Sequence, residues 1–151
     1  WHCIGPIQSN KTRLVAEHFD WVHSIDRFKI AQRLSEQRPA SLPPLQVCIQ
    51  VNVDGGANKS GVSPQDLPAL ALAVAALPRL QLRGLMTIPE PAETEAQMRA
   101  VHRQAKALFD SLCAQGLPLD TLSMGMSADL NAAIAEGSTM VRVGTAIFGK
   151  R

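Results

Sequence analysis

The residues best placed to do chemistry lie near the end of the chain, in Gly125-Met126-Ser127 and in Arg142-Val143-Gly144-Thr145. Each run sets a glycine, which lets backbone approach a ligand closely, beside a hydroxyl where a strand pattern gives way to a helix pattern. Amides at a helix start have no intrahelical acceptor and the dipole there favours negative charge, so each junction is a natural phosphate cradle. Taken singly, Ser127 reads as an ordinary helix N-cap and Gly144 as a turn residue. Two such junctions in succession favour the anion site. Arg142 adds to it: in Met140-Val141-Arg142-Val143, strand alternation sets the arginine on the face opposite the valines. With the valines packed on helices its guanidinium points inward, where it needs an anionic or lone-pair partner. The competing partner is a carboxylate at the sheet edge, such as Glu136.

A second constellation sits mid-chain. Residues 45–53 read Leu-Gln-Val-Cys-Ile-Gln-Val-Asn-Val, which puts Gln46, Cys48, Gln50 and Asn52 on one face. Amides turned to an interior imply hydrogen-bond work. Gln46 and Gln50 read as a structural layer bonded to one another, and Asn52, at the C-terminal end, as the member nearest a ligand. In the polar, glycine-rich loop that follows, Lys59 either approaches an anion or is simply solvated. His2 reads as a satisfied structural histidine, Met86 as packing at the mouth of the fold, and Met124 and Met126 as core.

The elements that must position these residues alternate. Short apolar or β-branched runs at 1–4, 21–25, 45–53, 80–88, 121–124 and 140–143 read as strands. Helical patterns at about 9–19, 26–37, 64–77, 93–115 and 127–136 lie between them. Ser9, Asp26 and Ser127 are the expected N-caps, and Gly116 and Gly137 the expected stops of the last two helices. Strands separated by helices and lacking hairpin signals make a parallel sheet, either doubly wound or a barrel. The turn after the first strand, Gly5-Pro6-Ile7-Gln8-Ser9, is not the GxGxxG of a doubly wound nucleotide site. The fold class is therefore α/β of the (β/α)8 TIM-barrel type, here an incomplete barrel with about six of eight βα units, since a whole barrel takes about 250 residues. Counted back from the end, the two glycine junctions follow strands seven and eight, where barrels often hold phosphate.

Composition narrows the function. A net charge of +2, scattered basic residues and 4% aromatics give no nucleic-acid footprint. No apolar run reaches the roughly 18–20 residues of a membrane span, and no secretory signal is visible. Cys3, Cys48 and Cys113 are odd in number and widely spaced, which suits free thiols in a reducing cytoplasm. The four histidines form no metal motif, and no metal site is expected.

Five blocks in order, at 2–11 (His-Cys-Ile-Gly-Pro-Ile-Gln-Ser-Asn-Lys), 59–61 (Lys-Ser-Gly), 83–86 (Arg-Gly-Leu-Met), 123–127 (Ser-Met-Gly-Met-Ser) and 141–149 (Val-Arg-Val-Gly-Thr-Ala-Ile-Phe-Gly), resemble the pyridoxal phosphate homeostasis proteins of the bacterial YggS and eukaryotic PROSC type. The resemblance implies a single domain, residues 1–151 forming the C-terminal portion of a barrel similar to the alanine racemase N-terminal domain. It implies pyridoxal 5′-phosphate as cofactor, its phosphate held by Ser127, Gly144 and Thr145, its ring nitrogen faced by Arg142, and its ring pocket lined by Asn52 and Met86. The Schiff-base lysine of such proteins would lie upstream of Trp1, so Lys11, Lys29, Lys59, Lys106 and Lys150 are not assigned that role. An arginine at the ring nitrogen does not keep it protonated, which suits a carrier or buffer of the cofactor better than a carbanion enzyme. The implied protein is cytoplasmic, a monomer when full length, has no residue in a catalytic role, and delivers its cofactor to apo-enzymes. A racemase of the related barrel type is the second reading, although its catalytic tyrosine has no counterpart in a chain without Tyr. A cofactor-free barrel acting on a phosphorylated metabolite is the third, and leaves Arg142 and Asn52 without specified roles.

Overall fold

The computed structural model describes residues 1–56 and 60–150. Strands and helices alternate as β1 (His2–Cys3), α1 (Thr12–His18), β2 (Trp21–Ile25), α2 (Phe28–Gln37), β3 (Leu45–Gln50) and α3 (Leu67–Ala75). They continue as β4 (Leu80–Met86), α4 (Glu95–Ala114), β5 (Thr121–Met126), α5 (Leu130–Ala135), β6 (Met140–Arg142) and α6 (Thr145–Phe148). All neighbouring strands are parallel, and their order in the sheet is their order in the chain. That order decides the architecture. A doubly wound sheet reverses at a switch point and brings sequence-distant strands together, whereas a barrel adds each strand beside the last. The six strands therefore form an incomplete barrel of the (β/α)8 type.

The helices form because their apolar residues recur on one face. In α2 the buried residues are Ile30, Ala31, Leu34 and Ser35, and in α3 Leu67, Ala71 and Val74, the spacing of a helix stripe. They pack on Val22, Val47, Ile49, Leu82, Leu85 and Leu122 of the strands. Thr94 and Gln97 close a reciprocal capping box at the start of α4. Gly84 allows β4 and β5 to approach: a Cβ there would lie 1.6 Å from the Thr121 carbonyl oxygen. The opposite face of the sheet is polar, with His2, Trp21, His23, Gln46, Arg83 and Ser123 in mutual contact. That face positions the site.

Several local expectations are corrected. Regular pairing of β3 stops at Gln50; the Val51 N–H still donates to the Met86 carbonyl of β4, but Val51 bridges to Val62, and Asn52 lies in the loop beyond. Ser9 opens a 3-10 turn rather than capping α1, and α2 starts after Arg27 with no side-chain cap from Asp26. Gln46 and Gln50 do not bond to each other: Gln46 accepts from Arg83 and donates to the Pro44 carbonyl, and Gln50 donates to that of Ser60. Met124 is core, but Met126 is 44% exposed on the rim. Helices α4 and α5 do stop just before Gly116 and Gly137. Among the described residues no helix is long and apolar enough to cross a membrane. The cysteines are free thiols, and burial pushes that of Cys48 up to about 12.

Candidate ligand site at the C-terminal rim

The site begins where β5 ends. Gly125 has a φ of 99°, and a Cβ on it would lie 2.6 Å from that of Ala133, so the chain turns onto α5 only with glycine here. A tight turn follows. Asp129 N–H donates to the Met126 carbonyl at 3.2 Å, and Asp129 Oδ1 accepts from Met126 N–H at 2.7 Å. The turn delays α5 to Leu130, so Ser127 is not the helix cap that its sequence position suggests. Its hydroxyl oxygen instead accepts from the N–H of Ala146, the second residue of α6, at 3.2 Å. The two glycine–hydroxyl junctions are thereby one structure. A serine oxygen that accepts from Ala146 keeps its own proton for an anion. The N–H of Thr145, at the first helical position, has no acceptor within the helix.

Gly144 sits between them with a φ of −120°, open to any residue. A Cβ added there meets no atom within 4 Å. Neither backbone nor packing calls for glycine, and the space beside it is open.

Arg142 reaches inward as its alternation predicts. Its Nη1 donates to Ser123 Oγ at 2.7 Å and its Nη2 to the Thr87 carbonyl at 2.8 Å. Burial lowers the guanidinium's pKa, and the carboxylate of Asp129 acts the other way. The alternative pairing with Glu136 is not formed, because Arg99 and Arg103 occupy that carboxylate at 2.8 and 3.0 Å. Behind Ser123 lies His23, 1% exposed, with Nδ1 2.9 Å from the serine oxygen and Nε2 2.9 Å from His2 Nδ1. Burial first, then His2 and Arg142, push the His23 pKa down to about 4, so the ring is neutral at pH 7.

A cavity of about 660 Å³ is bounded by His2, His23, Met126, Met140, Arg142 and Gly144. A smaller apolar cavity of about 320 Å³ also touches Arg142 and is lined by Met98, His102 and Asp129. There His102 Nε2 meets Asp129 Oδ2 at 2.8 Å.

Of the predicted site residues, Ser127, Arg142, Gly144 and Thr145 are brought together. Met86 is fully buried and pairs in register with Ser123, next to the Arg142 anchor but outside the cavity lining. Asn52 stands apart. Its amide donates to the Gly56 carbonyl and accepts from Gly55 N–H, and it lines a separate cavity with Asp54, Gly61 and Gln104. Lys59 lies outside the described residues. Sequence reasoning passed over His23 and Ser123, although alternation in Trp21-Val22-His23 and in Thr121-Leu122-Ser123 turns both toward the polar face.

A parallel sheet wound sequentially, each strand joined to the next by a helix, defines the class of (β/α) barrels. Within it, the chain belongs to the family of the alanine racemase N-terminal domain, whose family model matches residues 1–151. It is 68% identical over 152 residues to a pyridoxal phosphate homeostasis protein of Pseudomonas aeruginosa, covering all of this chain and 64% of that protein. The corresponding protein of Escherichia coli is 59% identical over 151 residues, again with 64% of its length covered. The chain thus spans just under two thirds of the curated relatives it matches. The solved structure of PipY from Synechococcus elongatus with PLP bound superposes with a TM-score of 0.90 at 40% identity, over 99% of this chain and 70% of PipY. An alanine racemase of Clostridium difficile shares the fold, with a TM-score of 0.79 at 15% identity over 97% of this chain and 38% of that one.

Proposed function

We propose that this chain carries the phosphate-binding and ring-facing part of a pyridoxal 5′-phosphate site, in a single-domain barrel whose C-terminal portion it forms. The observation that carries the reading is the Ala146 N–H to Ser127 hydroxyl contact, which fuses the two junctions beside the open space at Gly144. Ser127 and the Thr145 amide would hold the phosphate, and Arg142 would face the ring nitrogen. Asn52 and Met86 are the remaining candidates for the ring pocket, Met86 the nearer to Arg142 and Asn52 only after its loop releases the amide. When bound, pyridoxal phosphate supplies an electron sink whose strength follows the protonation of its ring nitrogen. A permanently cationic guanidinium offers that nitrogen a hydrogen bond without a transferable proton.

The protein that contains this chain is read as a cytoplasmic, monomeric carrier or buffer of the cofactor that delivers it to apo-enzymes without robust catalysis of its own. Relatives at 54–68% identity bearing the pyridoxal phosphate homeostasis name support this reading. The test is Gly144→Ala in the intact protein. The fold has room for the methyl group and a seated phosphate does not. Unchanged thermal stability with at least about tenfold weaker uptake of pyridoxal phosphate, followed by absorbance, is expected. Unchanged uptake would place the phosphate elsewhere.

A further inference from the structure

The hydrogen bonds behind Arg142 admit one arrangement of protons, and we propose that this arrangement makes His23, Ser123 and His2 positioning residues that hold the guanidinium toward the cofactor ring. The proposal rests on the pyridoxal phosphate reading above for its ligand, and on geometry alone for the network.

A guanidinium has donors only, so Ser123 Oγ must accept from Arg142 at 2.7 Å. Ser123 is fully buried, and among the described residues its other polar neighbour is His23 Nδ1 at 2.9 Å. The hydroxyl proton goes to that nitrogen, because placing it elsewhere leaves a buried donor unmet. His23 Nδ1 is then bare, and the ring carries its proton on Nε2. That proton is donated to His2 Nδ1 at 2.9 Å, which puts the proton of His2 on its own Nε2. One fixed cation at Arg142 therefore sets the tautomers of two histidines on the far side of the barrel.

The outer end of the chain is braced. The His2 ring stacks on Trp21, with centroids 5.2 Å apart and planes within 4°. Trp21 lies under the Arg83 guanidinium at 4.8 Å. Arg83 is in turn held by both oxygens of Asp120, at 2.9 and 2.7 Å. The network thus crosses the interior from β1 and β2 to β5 and β6. With the Thr87 carbonyl on Nη2 it ties down both terminal nitrogens of Arg142. The remaining N–H groups of that guanidinium are left for the cavity of about 660 Å³ that Arg142 lines.

Two measurements on the intact protein test this. Long-range proton–nitrogen NMR at neutral pH, without added cofactor, is expected to show His23 and His2 neutral with the proton on Nε2. A His23 proton on Nδ1 overturns the network. Titration with pyridoxal phosphate then compares Ser123→Ala, His23→Leu and His23→Gln. The first two are expected to bind about tenfold more weakly and to shift the absorption maximum of the bound cofactor, the loss of one hydrogen bond to a charged group. His23→Gln, which keeps an acceptor for Ser123 and a donor for His2, is expected to stay near wild type. Wild-type affinity and absorption in both Ser123→Ala and His23→Leu would overturn the positioning role. Wild-type protein that takes up no pyridoxal phosphate would sink the cofactor reading, and the tautomers would then decide the network by themselves.

Discussion

Acidification from neutral pH to pH 4 should cost the protein about 3 kcal/mol through His23 alone. The ring is 1% exposed, and its pKa is pushed from 6.5 to about 4 by burial, by His2 and by Arg142. The unfolded chain releases all three influences and restores the ordinary value. Between those two pH values the unfolded state binds a proton that the folded state refuses, so stability rises with pH across this window. The favourable state is complete above pH 6.5, is lost progressively toward pH 4, and changes little further once both states are protonated. A displacement of about two and a half pH units, at about 1.4 kcal/mol each, gives about 3.5 kcal/mol in all, of which about 3 kcal/mol is lost by pH 4, where the folded state is half protonated.

Urea unfolding at several pH values, for wild type and for His23→Gln, measures the effect. Carboxylates contribute in a different window. Arg83 holds Asp120, and Arg103 and Arg99 hold Glu136, below their ordinary values of 3.8 and 4.5, so their stabilisation is lost as pH falls from those values toward stronger acid. They also remain in the variant and cancel in the comparison. Wild type should lose about 3 kcal/mol more than His23→Gln between neutral pH and pH 4. Two parallel curves would refute the reasoning, because His23 would then be titrating as an exposed imidazole.

Three further substitutions probe the site and its scaffold. Ser127→Ala removes both the acceptor for Ala146 N–H and the proposed phosphate donor, and should weaken pyridoxal phosphate about tenfold by absorbance titration. Gly84→Ala drives a methyl group into the Thr121 carbonyl and should cost about 3 kcal/mol in urea unfolding, since no side-chain movement relieves a backbone clash. Thr94→Ala breaks the capping box of α4 and should cost about 1 kcal/mol, read as a lower thermal midpoint with cofactor affinity unchanged.

The repeating units were legible because each carries its own period: helix stripes at three and four residues, strand runs between them, glycines at the stops. The rim was legible for the same local reason. Ser127, Gly144 and Thr145 sit at element junctions, and Arg142 declares its direction by lying between two valines. What local reasoning could not supply was how the junctions meet. Ser127 reads as a cap, yet Asp129 takes the Met126 amide, delays the helix, and frees the serine for α6. Asn52 stands apart for a related reason: strand alternation extends only as far as regular pairing does, and beyond Gln50 the chain bridges to the loop residue Val62. His2 looked solitary because its partner, His23, lies on another strand, and Ser123 is a further 100 residues along. A buried polar network is a property of the closed sheet, assembled from residues that each look unremarkable within their own element. Its proton order is dictated from one end, by the single member that can only donate.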